Sequence, residues 1–70
     1  MALTDDIADE IAQLALEDEL RTGDETIIQQ IAEILGSSSQ TLQEAYLTSV
    51  RVRRAERRAR KLLTSRIETS

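Results

Sequence analysis

The sequence predicts an all-α fold: three helices joined by short turns, the third the longest. Apolar residues recur at helical spacing in three separate stretches, and no stretch alternates with period two. Apart from Met1 and Tyr46, every apolar side chain is Ala, Leu, Ile or Val, an aliphatic set that packs readily between helices and includes the strong helix formers Ala and Leu. There is no proline, and the two glycines, Gly23 and Gly36, stand between the periodic stretches.

The first helix is expected over about residues 5–21. Thr4 can cap it, and Asp5 and Asp6 suit the positive end of its dipole. Leu3, Ile7, Ile11 and Leu14 fall on one stripe with Ala15 beside it. Leu16 and Leu20 lie off the stripe, so the apolar surface is broad enough for two neighbours. Gly23 is placed to end the helix with a left-handed residue.

The second helix is expected over about 24–35, capped by Asp24 and stopped by Gly36. Ile27, Ile28, Ile31, Ile34 and Leu35, with Ala32, form its apolar pattern. The third begins near Ser38 or Ser39, where Ser37 with Gln40 and Thr41 with Glu44 both read as capping boxes. It runs to about residue 66, and residues 67–70 are expected to fray. At about 1.5 Å per residue it spans roughly 40 Å, more than twice the reach of the second helix. Much of it must rest on the first helix, on another subunit, or in water. Residues 1–70 form a single domain.

Seventy residues give a small core, so oligomerisation would help stability. With no Cys and no His, there is no disulfide framework, no zinc site of the usual kind and no histidine base. There is no phosphate-cradling Gly loop and no nucleophile beside a base, so no enzyme, metal, cofactor or small-molecule substrate is expected. Carboxylate pairs such as Asp5 with Asp9 have their ordinary explanation in the helix dipole. No run approaches the roughly 18 apolar residues of a membrane span. The first positive charge is Arg21, so no basic segment precedes an apolar one as in a signal peptide; the expected address is the cytoplasm.

The net charge of −4 divides unevenly: residues 1–35 carry −9, and residues 36–70 carry +5. Such a split suggests either pairing between the halves or a basic end kept for an anionic partner.

Residues from about 27 to 47 carry the main functional signal. Ala32 is a small residue inside a helix, Gly36 follows at the turn, and Leu42 and Ala45 lie beyond it. Ala32 allows a close helix crossing, Gly36 permits positive φ, and Leu42 and Ala45 anchor the next helix. This segment resembles the core of a DNA-binding helix-turn-helix. The resemblance implies a recognition helix that presents Ser39, Gln40, Thr41 and Gln43, with Glu44 beside them, to the major groove. In that reading Gln40 and Gln43 face outward onto the duplex. Ser37 departs from the family pattern, which places a buried apolar residue there, and residues 24–50 contain no Lys or Arg. The same residues also describe an ordinary tight corner between helices.

Residues 51–61 contain Arg51, Arg53, Arg54, Arg57, Arg58, Arg60 and Lys61 against Glu56 alone. Arg53 with Arg57 and Arg54 with Arg58 are like-charge pairs one turn apart, each costing about 0.2–0.5 kcal/mol. A helix this self-repelling is better tolerated beside an anion: nucleic-acid phosphate, or the acids Asp5, Asp6, Asp9, Glu10, Glu17, Asp18 and Glu19 of the first helix, from this chain or a partner subunit. Val52, Ala55, Ala59 and Leu62 repeat at coiled-coil spacing, with Leu63 widening the seam. The seam can lie on the first helix or join two subunits.

The expectation is therefore a small non-enzymatic DNA-binding protein, with the arginine-rich helix gripping phosphate or making a homo-oligomer. Its layout is similar to that of phage small terminase subunits and compact transcriptional regulators. The alternative is a small helical adaptor or inhibitor that binds a protein partner through its acidic first helix or basic third helix, without DNA.

Overall fold

The computed structural model describes residues 3–69 and is all-α. Helix α1 spans Leu3–Thr22, α2 spans Ile27–Ser38, and α3 spans Gln40–Thr69. At 30 residues α3 is the long helix, and it sets the longest dimension of a 49 × 30 × 13 Å molecule. It stays helical through residues 67–69, which were expected to fray; Ser70 lies outside the described residues.

Gly23 ends α1 as expected. Its φ is +77°, and its N–H donates to the Glu19 carbonyl at 2.8 Å. The turn that follows is held by side chains. Asp24 N–H donates to Thr22 Oγ1 at 3.1 Å, and Asp24 Oδ1 accepts from the Thr26 N–H at 2.9 Å. Asp24 therefore organises the turn, and Thr26, with no side-chain cap bond, is the residue from which α2 starts. The expected cap at Thr4 is also displaced, because α1 already begins at Leu3.

Gly36 does not stop α2. It has no positive φ and lies within the helix, which continues to Ser38. The corner to α3 is Ser39 alone, extended at φ −154° and ψ 106°, with its N–H on the Leu35 carbonyl at 2.8 Å. Ser39 Oγ accepts from the Leu42 N–H at 3.1 Å and so caps α3. One extended serine suffices to reverse direction, so the glycine is free for another role.

The core is small: Ala8, Ala12, Ala15 and Leu16 from α1, Ile28 and Ala32 from α2, and Tyr46 and Val50 from α3. Leu42 and Ala45 pack partly buried against it, as expected. The expected stripe of α1 is not its buried face. Leu3, Ile7 and Leu14 remain exposed at 74%, 39% and 59%, and only Ile11 is partly covered. The alanines win because they let α1 approach α3 closely, and α3 is the larger surface on offer. Tyr46 is fully buried and donates its hydroxyl to the Ile28 carbonyl at 2.9 Å, so the largest core side chain keeps its polar end satisfied.

Candidate functional site

The corner residues singled out by the helix-turn-helix resemblance divide into two groups. Gln40 and Thr41 are exposed, and Gln40 Nε2 donates to Glu44 Oε1 at 3.3 Å. Ser39 is half-buried and occupied by its cap bond. Gln43, expected to face outward, turns inward instead. Its Nε2 donates to the Ala32 carbonyl at 2.9 Å, and its amide lies over Gly36. The inward rotamer gains a bond across the α2–α3 crossing that an outward one would lack. Gly36, expected to supply positive φ, is instead the space in which that amide rests.

The arginine cluster divides as well. Arg53 forks onto Asp9, Nε to Oδ1 at 2.8 Å and Nη2 to Oδ2 at 2.7 Å. This bond holds the Asp9 carboxyl below the usual carboxylate range and raises Arg53 above its own. Arg54 donates to Glu19 at 2.9 Å, with the Glu19 side chain only 14% exposed. Two bases of the third helix thus pair with acids of the first. Arg60 pairs with Glu56 one turn back at 3.0 Å. Arg51, Arg57, Arg58 and Lys61 make no ion pair among the described residues and stand exposed.

The seam residues Val52, Ala55, Ala59 and Leu62 are all exposed, so the seam does not lie on α1. At 100° per residue Val52 sits about 160° around the helix from Val50. Val50 is 2% exposed in the core, and Val52 is 61% exposed on the far side. From Ala55 to Glu68 every residue of α3 is exposed, and Leu62 and Leu63 extend the apolar stripe along this projecting end until Arg66 takes the next seam position.

A second apolar surface went unread in the sequence. Ile11 and Leu14 of α1 and Ile27 and Ile31 of α2 line a groove of about 290 Å³ on the side of the helical hairpin away from α3. The signal is the Leu3–Ile7–Ile11–Leu14 stripe itself. A cleft of about 810 Å³ opens beside Gly23 between Glu19 and Arg54, whose charges already satisfy each other.

Among the described residues no cluster of acidic side chains is placed to hold a metal ion, and no helix is long and apolar enough to cross a membrane. No family model matches the chain, and no characterised protein or solved structure matches it either.

Proposed function

We propose that the protein is a small non-enzymatic binding module that docks on a protein partner through the projecting end of α3. One observation carries this reading: an apolar stripe from Val52 to Leu63, edged by arginines, that stays exposed among the described residues. Val52, Leu62 and Leu63 are each 61% exposed. Soluble monomers rarely leave a contiguous apolar strip of this kind in water. An acidic amphipathic helix fits it, with aliphatic side chains on the stripe and carboxylates on Arg51 and Arg58, which flank it. Partner capture from cells that express the chain tests the reading. A partner held by the wild type and by Gln40→Ala, and lost with Leu62→Glu, is expected. A partner set indifferent to Leu62→Glu overturns it.

A second reading is favoured by a different observation. Among the described residues Arg51, Arg57, Arg58 and Lys61 pair with no carboxylate, even though acids outnumber bases in the chain. These cations suit the phosphates of a DNA duplex, with Gln40 and Thr41 at the near end of the same helix. The inward turn of Gln43 removes one base-reading side chain, so this binding would rest on phosphate contact more than on sequence. It predicts duplex affinity that falls with salt at about −0.9 in log–log slope per neutralised phosphate. Undetectable binding at about 50 mM salt rejects it.

A further inference from the structure

The hairpin of α1 and α2 carries an aliphatic face that stays exposed among the described residues. Ile11, Leu14, Ala15, Ile27 and Ile31 line its central groove of about 290 Å³, with Asp18 at one end. Ile7 of α1 and Ile34 of α2, each one helical turn further along, extend it at 39% and 64% exposure. Asp18 is the one polar side chain lining the groove, and the Arg21 guanidinium already holds its carboxylate. Glu17 belongs to the other flank of α1, in the cleft it lines with Arg53, Arg57 and Arg60. The face is therefore apolar and close to neutral, on a chain whose two halves carry −9 and +5.

We infer that two copies of the chain meet at this face, hairpin on hairpin about a twofold axis, to form a four-helix core. The inference stands apart from the docking reading above, because the groove lies on the side of the hairpin away from α3 and the stripe on the side of α3 away from the hairpin.

A twofold contact lays a patch on its own copy, so the patch must suit itself. The α3 stripe does not, since Arg51, Arg58 and Arg60 along its edges would meet their own kind. The hairpin face does. Leucine and isoleucine meet leucine and isoleucine at its centre, and its one acid is neutralised by Arg21 of the same chain. Glu10 and Gln30 stand exposed at the rim, where interfaces are polar and wet. A charged partner would find little on this face to pair with, whereas a second copy offers a matching neutral surface.

Size and need agree with this occupant. From Ile7 to Asp18 the face runs about 16 Å along α1, and two helices side by side make it about 20 Å wide. That is the size of the largest apolar patch an ordinary monomer shows, about 300–600 Å². With its polar rim it approaches the roughly 800 Å² that each partner gives to a standard interface. Four of the eight buried core residues are alanines. The single chain thus spends its close contact with α3 on small side chains and leaves Ile7, Leu14 and Ile34 in water. In the pair those three become core, which a chain of 70 residues otherwise lacks. The two α3 stripes then lie on opposite outer sides of the assembly.

Sedimentation of the full chain against concentration tests this, with Leu14→Glu and Ile34→Glu on the face and Leu62→Glu on the stripe. The expected result is a dimeric wild type, a dimeric Leu62→Glu, and self-association weakened tenfold or more in each of the other two. A spin label on Ala59→Cys, the only thiol in that chain, leaves the face intact and carries the test even where a glutamate variant loses helix. The two labels of a dimer should lie far apart, on its outer sides. Labels in close contact, or self-association lost with Leu62→Glu, would mean that the stripes pair instead and would overturn the inference. Dimers unaffected by both Leu14→Glu and Ile34→Glu also overturn it. So does a wild type that stays monomeric at high concentration, an outcome that leaves the docking reading of the stripe to its own capture experiment.

Discussion

The side chain of Gln43 lies on the bare backbone of Gly36. A Cβ at position 36 would come within 2.7 Å of the Gln43 Cδ, and the same amide donates to the Ala32 carbonyl at 2.9 Å. The glycine and the glutamine are therefore one device for holding α2 against α3. Gly36→Ala alone should change stability little. It gains about 0.5–1 kcal/mol of helix preference and drives out a glutamine whose bond is worth about 0.5–1.5 kcal/mol. In a Gln43→Ala background the same substitution should be stabilising by about 0.5–1 kcal/mol. Urea unfolding of the four proteins measures the coupling, and simple additivity would show that the two residues act independently.

Ser39 is the whole connection between α2 and α3, and its hydroxyl caps the longer helix. Ser39→Ala should cost about 1 kcal/mol, and Ser39→Asp should restore most of it by supplying another cap acceptor. Thermal unfolding followed by circular dichroism checks this. Equal loss in both variants would mean that the extended backbone, rather than the hydroxyl, sets the corner.

Helix number, order and approximate extent were legible in the sequence, because periodicity and Gly23 are local signals. The face that α1 buries was not. A hydropathy pattern weighs Leu3, Ile7 and Leu14 above Ala8, Ala12 and Ala15, yet the alanines admit the close approach of α3. The role of Gly36 was hidden for a related reason. A glycine at the apparent end of a helix reads as a stop, and only the inward turn of Gln43 from the next helix reveals that it clears space. Of the arginine cluster, sequence showed the excess charge but not its division. Which bases reach Asp9 and Glu19 depends on where α1 crosses α3, a tertiary quantity with no local trace.

Asp9 predicts an acid limb in the stability curve. Its folded pKa lies below the ordinary 3.8 because the Arg53 guanidinium donates to it. The contribution is present above that ordinary value and is lost as pH falls through the folded one. Asp24, whose carboxylate accepts from Thr26, acts with the same sign. The Asp9 side chain is 49% exposed, so solvent screening holds its share below about 1 kcal/mol. Urea midpoints at about pH 6 and about pH 3 should differ less in Asp9→Asn than in the wild type. An identical difference in both proteins would remove Asp9 from the account.

Tyr46 predicts the alkaline limb, and as the single tyrosine of the chain it reports on itself. Burial raises its pKa above the ordinary 10.0, with Arg54 nearby opposing and Glu19 adding to the rise. The folded state therefore holds the phenolic proton more tightly than the unfolded chain does. Stability is whole below pH 10.0 and declines as pH rises past it, since only unfolding lets the ring ionise freely. Loss of the proton would also remove the bond to the Ile28 carbonyl and leave a buried anion facing that oxygen. Tyrosinate absorbance and helix content should accordingly change together, at a pH above that of the urea-unfolded protein. Tyr46→Phe should cost about 0.5–1.5 kcal/mol at neutral pH for the lost bond and should lack this tyrosine-linked alkaline decline. Tyrosinate that forms near the ordinary value, while the helix signal stays level, would place the ring in solvent and contradict the core described here.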